Sequence, residues 1–534
     1  MFNKLLTLRQ QGFRLGTMTT HDVEIAIVGA GFSGLGAAIK LSQNGVDDYL
    51  VIDRGSDFGG TWRDNTYPGA ACDVPSHLYS YSFAQNPDWS RSYSHQPEIH
   101  GYINGVADNY GIGARTWFTS EVESAHWNED EHRWELSVSR SVDGGPAEQV
   151  TVRARHLVGA VGPLCEPNLP DIEGIDGFGG TIVHSARWDH EMDFTGKRVA
   201  VIGTGASAIQ IVPQLGKVVG RLDVYQRTAP WIIPRNERPY LPVENWAFKN
   251  VPGLQNLIRG GIYGFNETVA AGMTFAPKAL KPVELISRAN IFKGIRDPKL
   301  REAVTPSYAV GCKRILKSND WYPTLDQPNV DLVTDGIEKI TEAGIVSRDG
   351  TLREVDVIVV ATGFHVTDSP VFATIHGADG RSLADVWDQT GMRGYKGSFV
   401  HGFPNMMLLI GPSTGLGHTS MVYMIESQLN YLVDYIRTAR RSGITRTEVT
   451  EEAQDRFNSG IQHTLRNSVW VNGGCSSWYQ DEHGNITTVW PGFTFTFRNA
   501  TRRFDIAAYD VQKGADRTAS TASGAAPQPA VAGS

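Results

Sequence analysis

Three features of the chain predict an α/β fold in which one unit is used twice. Near the N-terminus an apolar run, "EIAIVGA", meets a glycine turn, then the helical pattern "SGLGAAIKLSQNG" and a second apolar run, "YLVIDR". Further along the same order returns as "RVAVIGTG", "ASAIQIVPQL" and "RLDVYQRT". After that second unit, residues 236–309 read as short amphipathic helices broken by Pro and Gly, without strand alternation. Strand, turn, helix and strand in that order form a βαβ unit, and glycines in the turn let phosphates approach the backbone. The predicted fold class is therefore α/β, with two dinucleotide-binding (Rossmann-like) domains and a mainly helical insertion.

At 534 residues there is room for two or three domains. Glycine, at 57 residues, exceeds its average share of about 7%, which fits tight turns and nucleotide loops. The net charge is −8, from 49 basic and 57 acidic residues, and no basic tract interrupts it. Nothing in that balance favours a nucleic acid or an anionic membrane surface. No apolar run approaches the roughly 18 residues that span a bilayer. The start, "MFNKLLTLRQQGFRLGT", lacks the apolar centre and cleavage site of a secretory signal, and Met18 offers an alternative start. The four cysteines, Cys72, Cys165, Cys312 and Cys475, form no CxxC pair and no ligand cluster. That spacing argues for a reducing cytoplasm and against a dithiol reductase.

The expected order along the chain is interrupted. A flexible leader (1–20) precedes the first part of an FAD-binding domain (21–165), which includes strand-rich text such as "HRWELSVSR". A proline-rich connector, "PLCEPNLPDIEG", leads to the first part of an NADP-binding domain (166–235). The helical insertion (236–309), the rest of the NADP domain (310–385) and a C-terminal FAD part (386–512) follow. A disordered tail (513–534) ends the chain, too poor in apolar residues to order itself.

The assignment of nucleotides rests on the two loops. "GAGFSG" (29–34) matches GxGxxG between a strand and a helix. Gly29 makes the tight turn, Gly31 admits the pyrophosphate, Gly34 lets helix and strand pack closely, and Phe32 and Ser33 open the helix. Asp53 ends the next strand, where an acid meets ribose hydroxyls, with Arg54 beside it. "GTGASA" (203–208) repeats the pattern through Gly203, Thr204, Gly205, Ala206 and Ser207, with Ala208 in the third glycine place. Here Arg227 stands where an acid would, which attracts a 2′-phosphate, and Thr228 adds a hydroxyl. Two loops of different polarity imply FAD first and NADPH second, hence a flavin enzyme fed by hydride.

Two further segments carry chemistry. "GGTWRDNTYPGAACD" (59–73) offers backbone flexible enough to lie near a flat ring, with Gly60, Thr61, Trp62 and Tyr67 beside it and Asp73 at its end. From the residues alone, Trp62 and Tyr67 read first as core packing and second as shields of such a ring. "FGGTIVHSARWD" (178–189) is too polar for a buried strand and too irregular for an amphipathic helix.

With those residues in place the chain resembles the type I Baeyer–Villiger monooxygenases. Their pattern FxGxxxHxxxW followed by Asp or Pro is met by Phe178, Gly180, His184, Trp188 and Asp189. The longer pattern is met by Gly60, Trp62, Tyr67, Pro68, Gly69 and Asp73, and the resemblance runs from about Asp22 to Asp510. Flavin-containing monooxygenases share the two loops but typically lack the Trp-Asp ending. Asp53 stands where many relatives have Glu; the shorter acid still reaches a ribose.

The resemblance implies roles residue by residue. In "GCKRILKSNDWYPTL", Arg314 is the active-site arginine facing the flavin and Lys313 a contact to the NADP 2′-phosphate. Asp73 pairs with Arg314. Tyr79 and Val122 join the flavin side, and Met421 is its C-terminal contact. Ala361 and Thr362 begin the segment connecting the nucleotide domains, and Trp478 sits in a mobile loop over NADP and substrate. His184 and Trp188 act in domain movement. The implied reaction is NADPH- and O2-dependent insertion of one oxygen atom beside a ketone carbonyl, giving an ester or lactone through a C4a-peroxyflavin. A fixed guanidinium suits both the deprotonated peroxide and the oxyanion that follows. The implied partners are a small-molecule ketone and O2, with no metal, nucleic acid or membrane, and the setting is cytoplasmic. Two alternatives remain: an N- or S-oxygenating flavin monooxygenase, and a non-catalytic flavoprotein redox sensor.

Overall fold

The computed structural model describes residues 19–142, 144–481 and 484–514. Most of the leader and the tail therefore lie outside the described residues. Thr19 and Thr20 nevertheless belong to the strand Thr19–Val28, and Lys513 to Tyr509–Lys513, so leader and tail are shorter than 1–20 and 513–534.

Two sheets organise the chain. The first has eight strands and is centred on Thr19–Val28, flanked in parallel by Tyr49–Ile52 and Glu148–Gly159. Ile25, Ala26 and Ile27 are fully buried, as expected for a parallel strand covered on both faces. Ser120–Asn128 and Arg133–Arg140 extend this sheet as an antiparallel hairpin. The helix Phe32–Ser42 covers one face and packs against the long helix Met421–Ser442. Met406–Leu408 pairs in parallel with Leu157–Gly159, so C-terminal chain re-enters the first sheet.

That return begins earlier than the boundary read at 385. Ile375–His376 already pairs with Ala125–His126, and Leu383 and Trp387 fill the same core. A two-residue strand is too short to leave a periodic signal.

The second sheet runs Val330–Val333, Arg221–Tyr225, Arg198–Ile202, Val357–Val360 and Thr181–His184, all parallel. The last strand corrects the reading of 178–189: its middle is an edge strand, in register from Val357↔Thr181 to Val360↔His184. An edge strand with one neighbour tolerates the polar residues that a central strand excludes. Gly180 is required there, because a Cβ would strike the Asp356 carbonyl and the Phe178 ring.

The insertion is helical as expected, with Pro242–Asn250, Leu254–Thr274, Lys281–Gly294 and Pro298–Ala303. Its second helix is 21 residues long and therefore not short, because Gly260, Gly261 and Gly264 sit on its outer side without breaking it.

Candidate active site

The first glycine loop is closed by its own surroundings. A Cβ on Gly29 would lie 2.5 Å from the Ala160 carbonyl oxygen, and one on Gly34 would overlap the Gly29 carbonyl. Gly31 faces the backbone of Gly60, 3.7 Å from where its Cβ would be, and Gly60 itself has a φ of 53°. Two stretches of side-chain-free backbone thus line one slot. Asp53 serves this loop more directly than the sequence suggests: its carboxylate accepts from the N–H of Ala30 at 2.6 Å and of Gly55 at 2.7 Å. Arg63 pairs with it at 2.7 Å. Arg54 instead reaches the connector, 2.5 Å from Glu166, and donates to the Cys165 carbonyl. Ser33 is buried in the first turn of the helix, and Thr61 opens the short helix behind Gly60.

Beside the slot three aromatic rings meet. Trp62 donates to the Tyr79 hydroxyl at 3.1 Å, and Tyr79 stands edge-on to Phe32, with centroids 5.4 Å apart. Burial holds the Tyr79 phenol well above its ordinary range, so it stays protonated. Tyr67 does not join them. It packs in the core of the second sheet and donates to Gln210 at 3.0 Å. Gln210 also binds the backbone of Ala71 in both directions, at 3.3 and 2.9 Å. It lies on Ala208–Leu215, the helix that follows the second glycine loop.

Asp73 and Arg314, 241 residues apart, form a two-point fork: Nε and Nη2 each donate to a carboxylate oxygen at 2.8 Å. Nη1 donates to the Leu416 carbonyl at 3.1 Å. Burial pushes the Asp73 carboxyl up, but Arg314 and then Lys317 outweigh it and hold the group below the usual carboxylate range. Asp73 in turn raises the Arg314 guanidinium further. Both side chains keep access to solvent, at 32% for Arg314 and 25% for Asp73. Met421 opens its helix five residues after Leu416, behind the Ser420 cap.

At the second loop a Cβ on Gly203 would overlap the Ala361 carbonyl, which brings the two predicted segments together. Thr204 donates to the Thr228 carbonyl at 3.1 Å, and Thr362 to the Asn168 carbonyl. Gly205 faces open space, with Ala206 exposed beside it and Ser207 ahead of the helix. Among the described residues, neither Arg227 nor Lys313 has an ion-pair partner. The Lys313 ammonium is pushed down by burial and then by Arg227 itself. Two like charges near each other, without a carboxylate between them, leave positive charge uncompensated at this place. His184 lies at the end of the neighbouring edge strand, accepting from the Ala186 N–H at 3.1 Å, and Trp188 stacks on Phe194. Burial keeps the His184 ring below its ordinary range, hence neutral at pH 7.

Two predicted contacts stand apart from these clusters. Val122 sits opposite Val138 beside a register shift, and Trp478 is half exposed, next to Tyr479. Three residues were missed. Lys317 donates to the Asp73 carbonyl at 3.0 Å and Arg235 to the Cys72 carbonyl at 3.1 Å, so further cations crowd this acid. The Tyr479 hydroxyl is buried, without a hydrogen-bond partner among the described residues, in the field of both Arg314 and Asp73. A cation three residues after Arg314, and a Tyr beside Trp478, were the available signals.

The family description "Flavin-binding monooxygenase-like" matches residues 22–251. A "Baeyer-Villiger monooxygenase" of Streptomyces coelicolor is 47% identical over 492 residues, spanning 92% of this chain and 93% of its own. The chain belongs to the Baeyer–Villiger monooxygenases. A relative of the same name from Pseudomonas aeruginosa is 45% identical and covers 91% of each chain. Among solved structures, cyclohexanone monooxygenase from Rhodococcus sp. Phi1 bound to NADP+ superimposes with a TM-score of 0.80 and 27% identity. That match covers 93% of this chain and all of the other.

Proposed function

We propose that this protein is an NADPH- and O2-dependent FAD monooxygenase that converts a ketone into an ester or lactone, with Arg314 as the group that makes the insertion possible. The balance is ketone, NADPH, a proton and O2 going to ester, NADP+ and water. Bound FAD supplies the redox chemistry, taking hydride from NADPH and activating O2. The residues present fit both nucleotides. At Gly31 and Gly60 two backbones approach each other with no side chain between them, and Arg227 with Lys313 offers an uncompensated positive pair for a 2′-phosphate.

The observation that carries the reading is the fork at Arg314. Asp73 and the Leu416 carbonyl fix the guanidinium plane from two sides, yet Nη1 and Nη2 each make only one of these bonds and retain a donor. A cation held in advance needs no rearrangement when negative charge develops on an oxygen. Its side chain remains reachable by a small ketone. Lys317 anchors the backbone of Asp73, which keeps the fork from drifting.

Arg227, Lys313 and Thr228 hold the nucleotide; Phe32, Trp62 and Tyr79 exclude water beside the first slot. Among the described residues no helix is long and apolar enough to cross a membrane. We place the enzyme in the cytoplasm, where NADPH is supplied.

Replacing Arg314 by Ala separates the steps. Ester formation from a panel of ketones, followed by mass spectrometry, is expected to fall at least about 100-fold, while NADPH still bleaches the flavin. Ester yield that survives this change would refute the assignment.

A further inference from the structure

The cysteine spacing, read from sequence as a sign of a reducing compartment, concealed a pair. Cys312 and Cys475 are joined in a disulfide across 163 residues, while Cys72 and Cys165 remain free. The bond lies at the site itself. Cys312 immediately precedes Lys313 and Arg314, and Cys475 precedes Trp478 by three positions. The backbone around it is equally close: the Ala309 N–H donates to the Gly473 carbonyl at 2.9 Å, and a Cβ on Gly473 would lie 2.7 Å from the Cys312 sulfur.

We propose that Cys312–Cys475 is a redox modification site, opened by a dithiol reductant, whose state sets how far the Trp478 loop can withdraw from the Lys313–Arg314 segment. Accessibility gives the reaction a direction. Cys312 is fully buried, whereas Cys475 is half-buried and flanked by exposed Gly474 and Ser476. A thiolate of the dithiol therefore attacks Sγ of Cys475, and the S–S bond breaks with its electron pair leaving on Cys312. The second thiol of the reductant then attacks the mixed disulfide and releases Cys475. Two electrons and two protons pass to the protein, and the dithiol ends as its own disulfide.

The mechanical effect follows from chain length. With the bond closed, the two Cα atoms lie 6.1 Å apart. Trp478, three residues on from Cys475, is therefore held within about 17 Å of the Cys312 Cα. With the bond open, that leash to Cys312 is gone, and the Ala309–Gly473 backbone contact and the buried Tyr479 ring still hold the segment. Lys313 directly follows Cys312 and lies near Arg227, so opening the bond is expected to alter how fast the nucleotide exchanges there. This last link rests on the NADPH reading above; the bond and the leash do not.

The test uses full-length holoenzyme purified in air, compared before and after dithiothreitol. Thiols are counted by alkylation and peptide mass spectrometry, loop freedom is read by limited proteolysis within 471–481, and NADP+ release is followed by stopped flow. The expected result is a linked Cys312–Cys475 peptide that dithiothreitol converts to free thiols, with cleavage and NADP+ release both several-fold faster. Cys475→Ser is expected to behave as the reduced form with or without dithiothreitol; if it fails to fold, the wild-type comparison decides alone. Four free thiols even after treatment with diamide would overturn the site. Equal cleavage and release rates in the two redox states would overturn the leash. Loss of the Baeyer–Villiger reading would appear separately, as absence of ester from every ketone, with thiol counts and proteolysis unchanged.

Discussion

The two glycine loops share a backbone plan and differ in what surrounds them. In both, the first glycine abuts the carbonyl of an alanine at the end of a neighbouring strand, Ala160 for Gly29 and Ala361 for Gly203. Beyond that they diverge. The first loop is packed: Gly34 touches the turn, Gly31 faces Gly60, and Asp53 ties Ala30 to Arg63. The second is open: Gly205 has nothing near it, Ala208 takes the third glycine place, and Arg227 and Lys313 have no carboxylate partner among the described residues. A packed cradle suits a cofactor that stays, and an open one with spare charge suits a cofactor that is exchanged.

The largest test of that contrast is Gly34→Ala. Its Cβ overlaps the Gly29 carbonyl, and the overpacking is expected to cost about 3 kcal/mol or more. The protein should be recovered without flavin, as read from its absorbance near 450 nm per protein, roughly the flavin band. Next comes Arg227→Ala, which removes a charge-assisted contact to the 2′-phosphate. The KM for NADPH should rise about 10–100-fold while that for NADH barely moves. Gly205→Ala is expected to leave flavin content and stability within about 0.5 kcal/mol of wild type. It should weaken NADPH through the phosphates alone; a loss of FAD would break the comparison.

The smallest effect concerns pH. Because the Asp73 carboxyl is held below its ordinary range, the stability it contributes is complete above pH of about 4 and fades as pH falls through the lowered value. Thermal melts of Asp73→Asn across pH 3–7, a span of about four units around the carboxylate value, should lack that acid-side loss. An identical slope in both proteins would show that the fork is not formed.

Much of this was legible because the chemistry is local. Glycine loops announce themselves within six residues, and Arg227 differs from an acid at one position. The fork between Asp73 and Arg314 came from family resemblance, since nothing in either segment alone specifies the other. What escaped had partners far away in sequence. Tyr67 read from the residues first as core packing, which is where it lies, but its acceptor Gln210, 143 residues on, was invisible. The pairing of Asp53 with Arg63, only ten residues on, also escaped, because it depends on how the 55–63 turn folds back. Edge strand 181–184 was dismissed on polarity, which only its single neighbour explains. The disulfide gave no spacing cue at all.

Gln210 has a mechanical side. Its side chain grips Tyr67 and Ala71, yet it rides on the helix that leads away from the nicotinamide nucleotide's loop. Asp73 follows Ala71 by two residues. The helix after the second glycine loop is thereby fastened, through one side-chain amide, to the stretch of chain that ends in the carboxylate partner of Arg314.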